Sequence, residues 1–297
     1  MAQLWAGMVV AGYGGFYQVQ IADGAVIICR ARGRLKQQYA GIYVGDQVEI
    51  SIISGTDGVL ENILPRKNQL LRPKIANVSQ AVLVQAAREP AYDLYLLDKM
   101  LVVAGLQGIK PLICFNKADL AAPGELEQIA AVYRCAGYVC CGVSALSGAG
   151  IADLLCYFGE GITVLAGPSG VGKSSLLNQL VPGMTAKTGE ISVRLQRGKH
   201  TTRYATIMPL LQGGGMIADT PGFSLLDVPE TLSGQLLADL YPEFAAAAPC
   251  RFESCLHDQE PDCGVKRGLA QGGIDPGRYQ RYIRLLQEVR TREVKYK

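Results

Sequence analysis

The stretch GPSGVGKSS, residues 167–175, fits the pattern G-x-x-x-x-G-K-S and lies between an apolar run, GITVLA, and a helix-like segment, KSSLLNQLV. Such a loop binds phosphate, because its backbone N–H groups and the positive end of the following helix attract an anion. We expect Lys173 to contact the β- and γ-phosphates and the Ser174 hydroxyl to ligate Mg²⁺. A chance glycine turn is the alternative. The expected phosphate contacts are Gly167, Pro168, Ser169, Gly170, Val171, Gly172, Lys173, Ser174 and Ser175.

The segment MIADTPG, residues 216–222, places an acid at the end of a second apolar run. DTPG alone is a common turn sequence, but the phosphate loop upstream favours a functional interpretation. We expect Asp219 to hold the hydration shell of Mg²⁺ and the Gly222 N–H to reach the γ-phosphate. This segment would therefore sense whether that phosphate is present.

Two further motifs, NKAD at 116–119 and SAL at 144–146, also follow apolar runs. Asp119 can accept hydrogen bonds from N1–H and the exocyclic amine of guanine, whereas adenine offers no donor at either position. Asn116 would support the loop, the Lys117 stem would lie across the purine, and the Ala145 N–H would reach guanine O6. Each motif alone is more often a surface turn, but together they predict GTP rather than ATP. The expected base contacts are Asn116, Lys117, Ala118, Asp119, Ser144 and Ala145.

Strands alternate with helices from about residue 65 to 227, which is typical of a parallel sheet wrapped by helices. Because each motif follows a predicted strand, all should meet at the carboxyl edge of one sheet. The base motif precedes the phosphate loop, the reverse of the usual order. A circularly permuted P-loop GTPase domain of the α/β class explains this order, since a sheet edge does not depend on where its chain begins.

Residues 1 to about 64 contain several short alternating strands bounded by glycine-rich turns, without a helix. This pattern predicts a small barrel, for which the OB-fold is the natural candidate and an SH3-like barrel the alternative. The basic stretch RARGRLK, residues 30–36, could follow a nucleic-acid backbone or form a solvated strand edge.

A cluster of soft ligands lies near the end of the chain, in CRFESCLHDQEPDC. Its spacing, C-x4-C-x-H-x5-C, suits a closed tetrahedral Zn²⁺ site with a structural role, worth roughly 10 to 16 kcal/mol of apparent folding energy. A disulfide is the alternative. The expected zinc ligands are Cys250, Cys255, His257 and Cys263.

The composition is that of a globular protein, with 49% hydrophobic and 19% charged residues and a net charge of +3. The apolar opening lacks a preceding basic stretch, and no apolar run approaches a membrane span, so we expect a cytoplasmic protein with reduced thiols and no membrane partner. From residue 266 onward there are nine bases and three acids. This basic helix could contact rRNA or could simply be solvated. Tyr279 and Tyr282 interleave with Arg278, Arg281 and Arg284 as a stacking surface would, but helical spacing alone more often means that tyrosines pack inward.

Together, NKAD, GPSGVGKSS, DTPG and the flanking segments resemble a known family, the circularly permuted bacterial GTPases that depend on the small ribosomal subunit and act in its maturation. The resemblance covers the whole chain. It implies an OB-fold barrel over residues 1–64, a permuted GTPase domain over 65–227 and a small helical zinc domain over 228–297. It also implies slow hydrolysis of GTP to GDP, stimulated by the subunit late in assembly, with binding to the subunit and its rRNA. We expect a monomer.

The same resemblance implies a switch threonine in GKHTTR, residues 198–203, which would close over Mg²⁺ and the γ-phosphate. This should be Thr202, with Thr201 possible, and the alternative is a threonine-rich start of a strand. Phe223 follows DTPG where many GTPases carry a glutamine that orients water, and a phenyl ring cannot do so. His200 is therefore a candidate to position or deprotonate the water. The alternatives are an exposed loop histidine and a site completed by the ribosome.

Two other function classes fit the same residues. One is an RNA-binding assembly scaffold that GTP only stabilises, whose turnover would not respond to small subunits. The other is a GTPase metallochaperone, which would need a labile metal rather than a closed site.

Overall fold

The computed structural model describes residues 3–33, 35, 41–71, 73–181, 205–210, 214–219 and 228–295. The strands are β1 (Trp5–Tyr13), β2 (Phe16–Ile21), β3 (Val26–Ala31), β4 (Gln47–Ser54), β5 (Asp57–Ile63), β6 (Gln69–Leu71), β7 (Lys74–Ala76), β8 (Val78–Ala86), β9 (Lys110–Asn116), β10 (Val139–Gly142), β11 (Ile162–Ala166), β12 (Thr206–Pro209) and β13 (Met216–Asp219). The helices are α1 (Leu94–Leu106), α2 (Glu125–Cys135), α3 (Ile151–Leu155), α4 (Lys173–Leu180), α5 (Gly234–Asp239), α6 (Pro242–Ala245), α7 (Gly264–Ala270) and α8 (Pro276–Lys295).

The described residues form two units. Unit 1 takes its residues from Met1–Val82, Ala145–Ala166 and Gly172–Phe223. Unit 2 takes its residues from Leu83–Ser144, Gly167–Val171 and Ser224–Lys297. Each unit has its own sheet segment, and strand β8 contributes its first residues to unit 1 and its last to unit 2.

The N-terminal part of unit 1 is a closed five-stranded barrel. Its strands follow the order β1-β2-β3-β5-β4, and β4 pairs back onto β1. The pairings are antiparallel except for β3 and β5, which run parallel. Alternate residues point inward, so that Val19, Ile50 and Leu60 are fully buried in the barrel core. The OB-fold prediction is confirmed, and the parallel β3–β5 pair and β1–β4 closure show why strand alternation alone could not decide it.

The rest of unit 1 extends the sheet in the order β8-β11-β13-β12-β1. Strands β11 and β13 are parallel, with Val164 opposite Ala218, and β12 runs antiparallel to β13. Every residue of β11 is buried, as expected for a central strand covered on both faces. The parallel register brings the carboxyl ends of β11 and β13, at Ala166 and Asp219, to the same edge.

Unit 2 contains the strand order β10-β9-β8, with β9 and β10 parallel. Helix α1 follows β8 and is capped by Asp93, whose side chain accepts a hydrogen bond from the Leu96 N–H at 3.0 Å and so satisfies a donor in the first turn. Helix α2 connects β9 to β10. The alternation of strands and helices that the sequence predicted for the permuted GTPase domain is confirmed.

The C-terminal part of unit 2 is a helical module, α5 to α8, in which α8 packs on α5 and on α1. Helix α8 starts with Pro276, and the preceding Asp275 accepts a hydrogen bond from the Arg278 N–H at 2.7 Å. Gly264 is required where α7 begins, since a Cβ there would lie 1.5 Å from the Ala248 carbonyl oxygen. Within the described ranges, every helix is too short or too polar to cross a membrane.

Candidate nucleotide site and metal centre

Residues 116–122, called the base loop, leave the carboxyl end of β9 and are fixed by backbone hydrogen bonds on two sides. The Ala87 N–H donates to the Asn116 carbonyl at 2.9 Å, and the Ala118 N–H donates to the Val143 carbonyl at 3.0 Å. Between them, Lys117 has a φ of +57°, an uncommon conformation for a residue with a side chain. The loop is thus held at its start, where NKAD begins.

The base loop contacts the first part of the phosphate loop, residues 167–171, within unit 2. Asn116 is 1% exposed, and its side-chain amide donates to the Val171 carbonyl at 2.8 Å. Asp119, three residues along, is exposed in the short 3₁₀ helix Ala118–Leu120. The buried amide therefore fixes the loop and leaves the carboxylate of Asp119 available for a ligand.

The phosphate loop depends on its glycines. Gly167 has a φ of +154°, and a Cβ on it would lie 2.3 Å from the Val84 carbonyl oxygen. Gly170, with a φ of +81°, lies against Pro90. In the same loop, Pro168 is partly exposed and Ser169 is exposed.

Ser144, two residues after the end of β10, is 2% exposed.

Unit 1 holds the second part of the phosphate loop, at the start of α4. Gly172 caps this helix with a φ of +92°, and the first turn of α4 contains no acidic residue. Lys173, Ser174 and Ser175 are half-buried there, at the positive end of the helix. Burial lowers the pKa of Lys173, because the charged ammonium loses solvent. An anion at this helix end would restore the favourable environment of that charge.

Asp219 ends β13 in the same unit and is 5% exposed. Burial raises its pKa from 3.8 to about 6, because the carboxylate is desolvated. A divalent cation would reverse this effect by stabilising the ionised form. Hard oxygen donors such as Asp219 and the Ser174 hydroxyl suit Mg²⁺.

Ala145, also in unit 1, accepts a hydrogen bond at its carbonyl from the Gln179 side chain at 3.1 Å.

The remaining candidate residues lie outside the described residues. They are His200, Thr201, Thr202 and Gly222.

The four soft ligands near the end of the chain lie together in unit 2. The ligand atoms of Cys250, Cys255, His257 and Cys263 all fall within 4.8 Å of one another. The Cys250 and Cys263 Sγ atoms are 3.8 Å apart, and His257 Nδ1 lies 3.6 Å and 3.4 Å from them. A tetrahedral Zn²⁺ with ordinary bond lengths requires about 3.8 Å between sulfurs and about 3.6 Å between sulfur and nitrogen. The cluster can hold a metal, and its spacing fits zinc.

The surroundings of the cluster favour thiolates. The Gly264 N–H donates to the Cys250 sulfur at 3.2 Å, and the Lys266 N–H donates to the Cys263 sulfur at 3.5 Å. Burial opposes ionisation of Cys250, but hydrogen bonds from the Gly264 and Val265 N–H groups outweigh it and lower the pKa of Cys250. No disulfide joins the described cysteines. A thiolate-lined site of this kind is suited to a metal ion.

The tyrosines of α8 pack toward the cysteine and histidine ligand cluster, which favours the inward-packing alternative. Tyr279 donates to the His257 carbonyl and Tyr282 to the Leu256 carbonyl, both at 2.6 Å. Arg278 and Arg281 are likewise engaged, because both form ion pairs with Asp98 of α1. The positive surface of this helix is therefore smaller than its sequence suggests.

Asp98 is an important residue that sequence reasoning missed. It is 1% exposed and joins α1 to α8 through its two arginine partners. Its signal was an isolated acid within the apolar helical segment LYLLDKMLVVAGL, since a carboxylate on a buried face requires a partner.

Comparison with known proteins identifies the family. A family model described as RsgA GTPase matches residues 63–229, and one described as RsgA N-terminal domain matches residues 6–60. The chain belongs to the RsgA GTPase family. It is a GTP-hydrolysing enzyme, and the expectations of a permuted GTPase domain and of GTPase activity are confirmed.

Relatives match almost the whole chain. A protein of Caldanaerobacter subterraneus subsp. tengcongensis named Small ribosomal subunit biogenesis GTPase RsgA is 44% identical over 97% of this chain and 96% of its own length. A protein of the same name from Moorella thermoacetica is 43% identical over 97% and 98%. The crystal structure of YjeQ from Thermotoga maritima has a TM-score of 0.83 at 34% identity, covering 97% of this chain and 99% of that one. YloQ, described as a circularly permuted GTPase, has a TM-score of 0.82 at 32% identity, covering 98% and 96%.

Proposed function

We propose that this member of the RsgA GTPase family binds the small ribosomal subunit in the cytoplasm as a monomer and assists its late maturation. The subunit stimulates GTP hydrolysis, and hydrolysis times the release of the protein. The names of the relatives support the link to small-subunit biogenesis. The observation that carries the nucleotide assignment is the hydrogen bond from the Asn116 amide to the Val171 carbonyl, which joins a guanine-type base loop to a phosphate loop.

The base loop would select the nucleotide. Asp119 accepts two hydrogen bonds from guanine, the Lys117 stem covers the purine and the Ala145 N–H meets O6. Exposure of Asp119 supports this role, because its carboxylate is accessible while the neighbouring Asn116 is buried. A site that hydrogen-bonds the substrate amine can reject an analogue lacking it by roughly four orders of magnitude.

The phosphate loop would neutralise the triphosphate. Lys173 supplies a positive charge to the β- and γ-phosphates, and the N–H groups at the start of α4 donate to phosphate oxygens. Ser174, Asp219 and Thr202 would hold Mg²⁺, which when bound supplies positive charge to the phosphates. His200 would position the attacking water, or a ribosomal group would complete the site. The Gly222 N–H would report the γ-phosphate to residues that follow it in the chain.

The metal site would be structural and would take zinc. Cys255 and Cys263 are 3% and 2% exposed, so an exchanging partner has little access to their sulfurs. This burial supports a permanent ion and opposes a role in metal delivery. Retention of zinc under mild chelation would agree with this assignment, and rapid loss from the folded protein would contradict it.

The outer face of the barrel is a candidate for rRNA contact. Tyr13, Phe16 and Arg30 lie in one row across β1, β2 and β3, and all three are exposed. The Arg30 guanidinium lies 4.8 Å above the Phe16 ring, which gives a flat cationic surface suited to stacking of unpaired bases.

The test is GTP turnover with and without purified small subunits in low-salt buffer. We expect stimulation by subunits in the wild type, loss of nucleotide binding or turnover in Lys173→Ala, and loss of stimulated turnover in His200→Ala. A wild-type turnover rate that is the same with and without small subunits would favour the RNA-binding assembly scaffold. Full stimulated activity in His200→Ala would exclude a catalytic role for that histidine.

A further inference from the structure

The residues that follow β8, 87–90, form a loop with several contacts to nucleotide-site residues of unit 2. Its last residue, Pro90, lies 3.4 Å from where a Cβ on Gly170 of the phosphate loop would be. Its first residue, Ala87, donates to the Asn116 carbonyl. No nucleotide-binding motif in the sequence includes this segment, which we call loop 87–90.

The central contact of this loop involves Lys117. The Lys117 ammonium donates to the Glu89 carbonyl oxygen. Glu89 has a φ of +51° and Lys117 a φ of +57°, so two residues with side chains adopt the left-handed conformation on either side of one hydrogen bond. Such conformations are unfavourable for residues with side chains and persist where surrounding contacts impose them. Loop 87–90 therefore fixes the far end of the side chain that is expected to lie across the purine.

An ion pair connects loop 87–90 to Glu125, the first residue of α2, which follows the base loop. Both Arg88 terminal nitrogens donate to the Glu125 carboxylate, at 2.7 Å and 2.6 Å, in a bidentate arrangement. Arg88 also donates to the Ala87 carbonyl at 2.8 Å. The Arg88 guanidinium holds the pKa of Glu125 at about 2, so this carboxylate is ionised at neutral pH. The planar fork of arginine gives this pair a fixed geometry.

Glu125 closes the base loop in turn. Its second oxygen accepts the Ala122 N–H at 3.1 Å, and the Tyr92 hydroxyl approaches its first oxygen at 3.3 Å. The 3₁₀ helix that carries Asp119 lies between Lys117 and Ala122. The base loop is consequently held at Lys117 by Glu89 and at Ala122 by Glu125, with Arg88 joining the two supports.

We propose that Arg88 and Glu125 are positioning residues for guanine recognition: their ion pair sets loop 87–90 against the base loop and so aligns Lys117 and Asp119 with the base. This inference rests on the proposed guanine site. It deepens that proposal by adding a specificity element that touches neither the base nor the phosphates.

The test compares GDP with inosine diphosphate, which lacks the exocyclic amine and keeps N1–H. The dissociation constant of inosine diphosphate divided by that of GDP measures the contribution of the second hydrogen bond to Asp119. A general loss of folded protein would weaken binding of both nucleotides equally and leave this ratio unchanged. We expect Arg88→Met to lower this ratio by about threefold to tenfold, as loss of a charge-assisted bidentate pair implies. Arg88→Lys should recover only part of the ratio, because lysine lacks the fork.

Helix α2, which carries Glu125, also offers a matched control pair. Arg134 pairs with Glu127 at 2.6 Å and is 42% exposed, the same exposed fraction as Arg88. Arg134→Met should leave the ratio unchanged. Glu125→Gln, which keeps an oxygen for the Ala122 N–H, should lower the ratio as Arg88→Met does. In 1 M salt the wild-type ratio should move toward that of Arg88→Met, because dissolved ions weaken a partly exposed pair.

The outcomes separate this inference from the proposed function. If the wild type binds the two nucleotides equally, the guanine site itself is wrong, and the inference falls with it. If the wild type discriminates and Arg88→Met and Glu125→Gln keep the full ratio, only the positioning role is overturned. An equal fall in Arg134→Met would also overturn it.

Discussion

Replacing Arg278 with methionine should strongly destabilise the C-terminal module. This side chain is 2% exposed and pairs with two buried carboxylates, Asp98 at 2.6 Å and Glu243. Burial opposes its charge, but these carboxylates together raise the pKa of Arg278 above its ordinary value. The cluster is nearly balanced, because Arg281 supplies a second positive charge to Asp98. Methionine would leave Glu243 without its arginine and Asp98 with Arg281 alone.

The loss of unfolding free energy depends on which carboxylate loses its ion-pair partner. Among the described residues, Arg278 is the only ion-pair partner of Glu243, whose side chain is 6% exposed. Breaking a buried pair by removing one member costs about 3–5 kcal/mol, since the remaining charge is uncompensated. Arg281 is 18% exposed and its loss leaves Asp98 paired with Arg278, so Arg281→Met should cost about 2 kcal/mol, the size of one hydrogen bond to a charged group.

The assay is urea unfolding of the zinc-loaded protein, followed by circular dichroism of helix and by zinc release to a metal indicator. With a denaturant slope of about 2 kcal/mol per M, the Arg278→Met midpoint should fall by about 2 M. Adding Glu243→Gln should recover part of this loss, because the amide carries no charge. The reasoning would be refuted if the double variant, Arg278→Met with Glu243→Gln, were less stable than Arg278→Met alone. Equal losses of unfolding free energy in Arg278→Met and Arg281→Met would refute it as well.

Three further predictions concern the metal and the nucleotide. Cys255→Ser should lower zinc content well below the wild-type value by elemental analysis, while Cys135→Ser, at an exposed cysteine outside the cluster, should not. Lys173→Ala should abolish binding of a fluorescent GTP analogue, and retained affinity would contradict the phosphate-loop assignment. Because burial raises the pKa of Asp219 to about 6, the folded protein binds that proton more tightly than the unfolded chain does. Stability of the nucleotide-free protein should therefore fall as pH rises from about 4 to about 6, and unfolding midpoints of Asp219→Asn should lack this component.

The sequence predicted those parts of the site whose chemistry is local. The phosphate loop needs glycines where the backbone turns with positive φ, as at Gly170, and a lysine at a fixed spacing. The cysteine and histidine ligands fall within fourteen residues, so their spacing already implies one cluster. In both cases the physical requirement and the residues that meet it lie close together in the chain.

Contacts between distant residues could not be predicted in this way. Arg278 and Asp98 are 180 positions apart, so charge counting assigned the arginine to a solvated or RNA-binding face when it is buried. Arg88 and Glu125 are 37 positions apart and belong to no motif. The barrel type depended on strand pairing, since alternation of apolar residues is the same in either kind of barrel.

The permuted order of motifs is consistent with a working site for a physical reason. A parallel strand fixes the edge at which its following loop emerges, and this direction does not depend on which strand comes first. The Asn116 amide meets the Val171 carbonyl 55 residues later, although the base motif precedes the phosphate loop. What permutation changes is the segment that follows Asp219. Here that segment leads to the helical metal module, whose helix α8 packs on α1 in the unit that also contains the base loop. Moving the chain ends thus preserves the strand-edge contacts and alters which part of the chain follows Asp219.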